Sequence, residues 1–291
     1  MSEPDLTVIL PTRNGGDWLE DALEALAEQR WDGSWEIVFV DNDSDDETPQ
    51  LLAAAVDTMP VPARLVTATE HHNLSHARNT GVDAARGRSV AFVDDDDLIA
   101  DGWVAAMGEA LHEHEFVASA FDYHRLNPAG VAEARGSFQT VELGDLFGKP
   151  IVSGGGSGCR RALWHQLGGN SQTFPATGQD MDFALRVAAL GTVTPHFCAG
   201  ARYHVRLRDG ARTSFRQGRK YGRWSVRLFR LHGAPAGERA DSPSRMIRRW
   251  GGLMRRSGAL LDRHRRLAWM WQAGQRVGRL QGSLAERTWY P

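Results

Sequence analysis

The sequence is poor in cysteine and in long apolar runs, and each shortage excludes a class of protein. Its 291 residues include two cysteines, Cys159 and Cys198, which are too few for a disulfide framework or a cysteine-rich metal site. No apolar run reaches the roughly 18 residues that a membrane-spanning helix needs. The N-terminal stretch MSEPDLTVILPTRN lacks the positively charged segment and apolar core of a secretory signal. We therefore expect a cytoplasmic protein.

Basic side chains are scarce in the first two-thirds of the chain and abundant in the last third. Residues 1–201 hold 12 Lys and Arg against 31 Asp and Glu, whereas residues 202–291 hold 22 against 5. Nearly all of the basic residues are arginines, since Lys149 and Lys220 are the only lysines. This asymmetry indicates two functional regions, which we place at 1–205 and 206–291.

The first hundred residues alternate between strand and helix patterns. Strand patterns occupy 6–10, 35–41, 63–68 and 89–94, and helical patterns occupy 17–29, 44–56 and 74–87. Ser44 is the predicted N-cap of the second helix, and Gly87 is predicted to end the third. Strands that are apolar throughout and alternate with helices form parallel sheets. We therefore predict an α/β fold: a Rossmann-like, mostly parallel central sheet with helices on both faces, followed by a helical, Arg-rich C-terminal region with a loop at 232–244.

Polar side chains cluster where the predicted strands end. The groups are Thr12, Arg13 and Asn14, then Asp41 and Asn42, then the four aspartates Asp94 to Asp97. Ligands of open α/β sheets bind at the carboxyl ends of the strands. Acidic and amide groups there are typical of a site for a base or sugar together with a hard cation bound through carboxylate oxygens. The alternative for the four aspartates is a solvated turn.

Four segments carry the most specific combination of motifs: VILPTRNGGDWLEDALEAL, EIVFVDNDSDDET, LSHARNTGVDAARGRSVAFVDDDDLI and GQDMDFALR. Together, and in this order, they resemble the family 2 glycosyltransferases with the GT-A fold. The resemblance implies a nucleotide-sugar-binding and catalytic domain at 1–205. It implies metal-dependent, inverting transfer of a sugar to a hydroxyl acceptor in the biosynthesis of a glycan, glycolipid or glycosylated natural product. A UDP-sugar is the favoured donor, because such donors are the commonest in that family.

The resemblance also implies which residues bind the donor. Six of them lie at the ends of three predicted strands, and Arg78 lies on a predicted helix. The full set that would contact the base, ribose and phosphates is Pro11, Thr12, Asn14, Asp41, Arg78, Asp94 and Asp95. Without the resemblance, Arg78 is interpreted as a surface residue of a helix.

A divalent cation, Mn²⁺ or Mg²⁺, is the implied cofactor. Asp96 ends the family's Asp–any–Asp motif and would be the direct metal ligand. His204 lies where related enzymes have a histidine near the metal or the diphosphate, although a purely structural histidine is the alternative. The cation would stabilise the charge that develops on the leaving nucleoside diphosphate.

Asp180 is the candidate catalytic base. Transfer to an alcohol needs a group that removes the hydroxyl proton as the new bond forms, and a carboxylate at the start of a helix can face an open pocket. A single base opposite the leaving group gives inversion. The family has a Glu–Asp pair at this point, whereas this chain has Gln179–Asp180, a departure that concerns acceptor positioning. Alternatively, Asp180 and Asp182 only stabilise a helix N-terminus.

A Gly-rich stretch at 154–159, GGGSGC, precedes that helix. It lacks the Lys–Ser/Thr of a phosphate-binding P-loop. We interpret it as a flexible loop over the acceptor side.

Apolar residues and arginines alternate at helical spacing in 244–282. The predicted apolar stripe consists of Met246, Ile247, Trp250, Leu253, Met254 and Leu260. Flanking arginines make this pattern typical of a basic amphipathic surface on an anionic membrane. Alternatively, these helices pack on the acidic domain. Nothing resembles a nucleic-acid module, so we expect no nucleic-acid partner.

Two other functions stay open from the sequence. FVDDDD also resembles the strand and Asp-x-Asp of aspartyl-phosphate phosphotransferases and phosphatases, although Leu98 follows it and three strands precede it. Gln179 motivates the second alternative, a non-catalytic module that binds a nucleotide sugar or a lipid without turnover.

Overall fold

The computed structural model describes residues 3–135, 138–174, 177–233 and 243–290. They form two compact units. The first groups the described residues of Met1–Asp122, Phe138–Asp145 and Lys149–Val205, and the second those of Tyr123–Ser137, Leu146–Gly148 and Arg206–Pro291. The second unit thus takes in two short segments that precede residue 205, and the boundary at that residue stays a prediction. The loop predicted at 232–244 lies mostly outside the described residues.

The strands belong to one large sheet and one small one. They are β1 (Leu6–Thr12), β2 (Trp35–Asp41), β3 (Ala63–Thr67), β4 (Ser89–Phe92), β5 (Leu98–Ile99), β6 (Phe116–Asp122), β7 (Gly144–Leu146), β8 (Lys149–Ile151), β9 (Ser157–Arg160) and β10 (His196–His204). The eight-stranded sheet has the order β3-β2-β1-β4-β9-β6-β10-β5, and β7 pairs with β8.

Helices follow most of the strands and make up most of the second unit. They are α1 (Leu19–Ala27), α2 (Thr48–Thr58), α3 (Leu74–Ala84), α4 (Trp103–Glu113), α5 (Ala129–Arg135), α6 (Arg161–Leu167), α7 (Gln179–Leu190), α8 (Ala211–His232), α9 (Pro243–Arg255) and α10 (Arg263–Ala285). Within the described residues, no helix combines the length and the apolar character needed to cross a bilayer.

The parallel half of the sheet forms where the sequence is continuously apolar. β1 pairs in parallel with β2 and with β4, and β2 pairs in parallel with β3. Every residue of β1, β2 and β4 is buried, as expected for strands that are covered on both faces. β9 is antiparallel to both β4 and β6. The predicted α/β fold with a mostly parallel sheet, flanking helices and a helical C-terminal region is confirmed.

Two predicted helix boundaries are wrong. α2 begins at Thr48 rather than near Ser44, and a proline occupies its first turn. The Ser44 hydroxyl instead accepts a hydrogen bond from the Asn14 N–H at 3.0 Å. α3 ends at Ala84 rather than at Gly87. Gly87 lies against β1, where its N–H donates to the Thr7 hydroxyl at 2.9 Å and an added Cβ would lie 2.6 Å from the Thr7 nitrogen.

In the second unit, α8 and α10 pack backbone against backbone. Glycines spaced four residues apart line the crossing: Gly218 and Gly222 in α8, and Gly274, Gly278 and Gly282 in α10. A Cβ on Gly278 would lie 2.0 Å from the carbonyl oxygen of Arg219. Residues spaced by four share one face of a helix, so these glycines form a continuous groove for the partner backbone.

Candidate active site

The carboxyl ends of β1, β2 and β4 bring together residues that are far apart in the sequence. Thr12 and Asp41 are register partners at the ends of β1 and β2. The turn of four aspartates follows β4, which pairs with the other edge of β1. The Thr12 hydroxyl donates a hydrogen bond to Oδ2 of Asp95, and its carbonyl oxygen accepts from the Asn42 N–H at 2.9 Å. The predicted cluster of polar strand ends therefore forms.

Asp95 is a partly buried carboxyl group. Its burial raises its pKa to about 7, and the charges of Asp96 and Asp94 act in the same direction, while the hydrogen bond from Thr12 opposes them. Asp97 is also buried, with 8% exposed. Asp94, Asp95 and Asp96 are partly exposed, so the turn is only partly solvated, and a cation here would favour the ionised form of Asp95.

Arg78 is a buried partner of this turn. Its side chain is 2% exposed, and its Nη2 lies 2.6 Å from Oδ1 of Asp94. The guanidinium carbon also lies 5.3 Å from the centre of the Phe92 ring. The alternative of a surface helix residue is therefore wrong for Arg78, which holds a fixed positive charge at the end of β4.

Gly154 connects Arg78 with the candidate base. The Gly154 N–H donates to Oδ2 of Asp180 at 3.0 Å. An added Cβ on Gly154 would lie 2.1 Å from Nη1 of Arg78. One small cavity is lined by both Arg78 and Asp180, with Trp164 and Phe183 among its apolar walls. Of the residues predicted for the donor side, Arg78 thus shares a pocket with the candidate base Asp180.

The Gly-rich stretch forms a defined structure, which corrects its interpretation as a flexible loop. Ser157–Arg160 is strand β9, inserted between β4 and β6. Gly155 lies so close to the aspartate turn that an added Cβ would be 2.5 Å from Oδ2 of Asp94. Glycine is required here because the backbone approaches the charged side chains directly.

Asp180 and Asp182 lie in the first turn of α7 but have different partners. Oδ1 of Asp180 accepts from the Met181 N–H at 2.9 Å, while Oδ2 faces Gly154 in the cavity. Asp182 pairs with Arg186, one helical turn on, at 2.8 Å. Gln179 is buried, and its Oε1 has no hydrogen-bond partner within the described residues.

His204 is placed next to the aspartate turn by strand pairing. His204 lies opposite Leu98 in the antiparallel pairing of β10 with β5. Leu98 follows Asp96 by two residues. Its Nδ1 lies 2.8 Å from Oδ2 of Asp122. A carboxylate on one ring nitrogen orients the ring so that the other nitrogen can bind a metal.

The donor atoms in this region suit Mn²⁺ or Mg²⁺. In the part of the chain that the structure describes, no three His, Cys, Asp or Glu side chains come together as a metal-binding group. Mg²⁺ commonly takes one or two carboxylates and completes its shell with substrate phosphates and water. Asp96 supplies a carboxylate of that kind, and the metal roles of Asp96 and His204 stay predictions.

Two predicted donor residues have other defined neighbours. Pro11 is buried in the sheet opposite Val40. Asn14 has a left-handed backbone with φ of 53° and exchanges two hydrogen bonds with Asp45, at 2.8 and 3.0 Å. Asn14 therefore fastens the loop after β1 to the loop before α2.

Sequence reasoning missed Tyr203. This fully buried residue accepts a hydrogen bond from the Asp94 N–H at 3.0 Å through its hydroxyl oxygen. Burial and the nearby aspartates raise the pKa of Tyr203 well above its ordinary value, so the hydroxyl is neutral. In the sequence, Tyr203 could have been singled out because it directly precedes the predicted metal ligand His204.

The comparisons with known proteins place the chain in a family. The family model described as Glycosyl transferase family 2 matches residues 7–168, more than half of the chain. The chain therefore belongs to this family. A similar known protein is the succinoglycan biosynthesis protein ExoO of Rhizobium meliloti, 38% identical over 97 residues, which are 33% of this chain and 26% of that protein. The match thus spans about a quarter of ExoO.

Solved structures agree with the fold. The mannosyltransferase PcManGT of Pyrobaculum calidifontis, in complex with GDP-Man and Mn²⁺, has a TM-score of 0.65 at 20% identity over 98% of this chain and 89% of that one. TarS 1–349 of S. aureus, in complex with UDP-GlcNAc, has a TM-score of 0.53 at 16% identity over 99% and 93%. The prediction of a family 2 glycosyltransferase with a GT-A fold is confirmed, and the phosphotransferase alternative gains no support.

Proposed function

We propose that the chain is a metal-dependent, inverting glycosyltransferase that moves a sugar from a nucleoside diphosphate donor to a hydroxyl acceptor. The observation that carries the proposal is the shared pocket. Gly154 contacts both the buried Arg78, which pairs with Asp94, and Asp180, so a donor at the strand ends and an acceptor beside Asp180 would meet there.

In the proposed reaction, the acceptor oxygen forms a bond to the anomeric carbon of the donor sugar. The bond from that carbon to the diphosphate oxygen breaks, and the nucleoside diphosphate leaves with the electron pair. Asp180 takes the hydroxyl proton of the acceptor as the new bond forms. The Gly154 N–H fixes the orientation of the Asp180 carboxylate through its hydrogen bond. One base on the face opposite the leaving group produces inversion.

Asp96 and His204 are the residues that would hold the metal. Support comes from the pairing of His204 with Leu98, two residues after Asp96, and from the contact of Asp122 with the histidine ring. When bound, the cation would neutralise charge on the leaving diphosphate. The complex of PcManGT with Mn²⁺ is in line with this assignment.

For donor binding, we propose that Thr12 and Asp41 contact the base and ribose, together with Pro11 and Asn14. Arg78, Asp94 and Asp95 would lie at the ribose and phosphates. We favour UDP as the nucleotide. TarS is described with UDP-GlcNAc and PcManGT with GDP-Man, so both nucleotides are compared in the test below.

We place the reaction in the biosynthesis of a surface glycan, in line with the name of ExoO, on the cytoplasmic side of a membrane. Peripheral association with an anionic bilayer is part of this proposal. Its support is the apolar surface of the helical region, where Ile247 is 67%, Met254 47% and Leu261 90% exposed. Exposed apolar side chains among arginines are typical of helices that lie on a membrane.

The first test is nucleotide binding with and without metal. The full chain is titrated with UDP, GDP and dTDP, each with Mn²⁺ and with EDTA, by calorimetry and thermal shift. We expect one nucleotide to raise the Tm only with metal, because a ligand that binds the folded state stabilises it. Asp96→Ala should abolish the shift, whereas Asp101→Ala, which removes an exposed acid just beyond the turn, should keep it. Metal-independent stabilisation of both variants would overturn the metal assignment.

A further inference from the structure

Helices α9 and α10 enclose a cavity of about 340 Å³ that has no part in the proposed transfer. α9 contributes Arg249 and Trp250, and α10 contributes Trp271, Arg276 and Arg279. With Met246, Gln272 and Gln275, which also line the cavity, these positions recur every three or four residues, so each set lies on one face of its helix. The Trp269 indole donates to the carbonyl oxygen of Leu253 at 3.0 Å, which joins the two helices.

Positive charge converges on this cavity. Among the described residues, no acidic side chain lines it. The buried Nε atoms of Arg276 and Arg279 have no hydrogen-bond partner in the described part of the chain. The pKa of Arg276 lies below its ordinary value because the group is partly buried and because Arg256, Arg279 and Arg249 carry like charges nearby. Arg276 and Arg279 repel one another unless an anion or water offsets their charge.

The remaining walls suit a ligand with an organic portion. The indoles of Trp250 and Trp271 offer flat, apolar surfaces, and the side chain of Gln275 adds an amide. Guanidinium groups present paired N–H donors that match phosphate oxygens. A phosphate or diphosphate offers more acceptor oxygens and more negative charge to the three lining arginines than a single carboxylate does.

We propose that this cavity binds a phosphate or diphosphate group that carries an apolar or planar organic portion. Arg249, Arg276 and Arg279 contact the anion, and Trp250 and Trp271 contact the organic portion. A lipid head group and a soluble phosphate ester offer the same chemistry. The site uses none of the proposed catalytic residues and does not depend on glycosyl transfer.

The test uses the full chain in EDTA, with inorganic pyrophosphate as the calorimetric probe. We expect one-to-one binding that weakens at least tenfold in Arg276→Gln/Arg279→Gln. The matched control, Arg248→Gln/Arg255→Gln, removes two exposed arginines of α9 outside the lining and should bind like wild type. Gln275→Glu places a carboxylate in the cavity, where it pairs with the arginines. It should abolish binding without lowering the Tm.

Vesicles distinguish the two sources of the phosphate. If pyrophosphate displaces the chain from phosphatidylglycerol vesicles, and the Arg276→Gln/Arg279→Gln variant no longer binds them, the site takes a lipid head group. If neither pyrophosphate nor the Arg276→Gln/Arg279→Gln substitution changes vesicle binding, the site takes a soluble phosphate ester. Absence of pyrophosphate binding, or an equal loss in the control variant, would overturn the site.

Discussion

At the scale of single residues, Asp95 combines burial with a position between two other carboxylates. The pKa of Asp95 is about 7 in the folded protein, against 3.8 ordinarily. Between these pH values the folded protein keeps a proton that the unfolded chain has released. The free energy of unfolding therefore falls as the pH rises from about 4 to about 7, and the loss is complete above the folded pKa.

This predicts that Asp95→Asn stabilises the metal-free protein. The asparagine carries no charge to bury, and its amide oxygen can still accept from Thr12. In EDTA, the Tm of Asp95→Asn should exceed that of wild type by a margin that grows between about pH 4 and pH 7 and then stays constant. Asp101→Asn controls for the loss of one exposed negative charge. A margin that shrinks with rising pH would contradict the assigned burial of Asp95.

Asp180 and Asp182 offer a matched pair in one helical turn. Asp180→Asn keeps the shape of the side chain but removes the proposed base. The turnover rate should fall by about 10²–10⁴-fold, while the Tm and the donor affinity stay near wild type. The assay follows release of nucleoside diphosphate from sugar donors of the nucleotide found in the binding test, with water as the acceptor.

Asp182→Asn should behave in the opposite way. It breaks the contact with Arg186 at 2.8 Å and should lower the Tm, while the rate per folded molecule is kept. If Asp180→Asn left donor consumption unchanged, the base would lie elsewhere, or the chain would be the non-catalytic module that Gln179 suggested.

The sequence predicted some roles of single residues better than others. Thr12, Asp41 and the aspartates could be grouped because they follow apolar strands that must be parallel neighbours. Tyr203 and Asp122 could not, because their contacts depend on how β10 pairs with β5 and β6. The amide of Asn14 contacts Asp45, a local loop contact that no pattern signals, and its donor role stays a prediction.

At the scale of secondary-structure elements, the crossing of α8 and α10 makes a prediction that opposes helix propensity. Alanine normally stabilises a helix relative to glycine by up to about 1 kcal/mol. At Gly278, however, a Cβ would lie 2.0 Å from the Arg219 carbonyl oxygen. Gly278→Ala should therefore destabilise the protein, by about 1–3 kcal/mol as is usual for overpacking, in thermal or urea denaturation.

Gly251→Ala is the control for that prediction. Gly251 lies in α9, where an added Cβ has no neighbour within 4 Å. The control should raise the stability slightly, since only helix propensity changes there. If both variants raised the stability, helix propensity rather than backbone contact would govern both helices.

Elements with an apolar pattern were predictable, and those without one were not. β2 was predicted at its observed bounds, 35–41, because five of its seven residues are apolar, and all seven are buried in the structure. β9 consists of Ser, Gly, Cys and Arg, which are typical of loops, and only its neighbours make it a strand. The predicted stripe of 244–282 also divides: Leu253 is fully buried, whereas Ile247 is 67% exposed.

At the scale of the whole molecule, the dominant feature is the separation of charge along the chain, with an acidic first part and a basic last third. Arginines near an anionic bilayer attract it over about 10 Å at moderate salt. The exposed Ile247 and Met254 would add apolar contact once the surface is reached. The two contributions can be separated, because salt weakens the attraction of the arginines and substitution removes the apolar contact.

We therefore expect the full chain to bind phosphatidylglycerol vesicles and not phosphatidylcholine vesicles in a sedimentation assay. Binding should weaken as the salt rises from about 0.05 to 0.5 M, because the charges are then screened. Ile247→Ser/Met254→Ser should lower the partition coefficient by about tenfold, since each apolar side chain loses its burial. Leu284→Ser changes another exposed residue, 81% exposed on α10, and should have no effect. If salt-dependent binding survived the double substitution, the prediction of an apolar contact would be wrong and the arginines would account for the binding. Equal binding to both kinds of vesicle would contradict an electrostatic attraction.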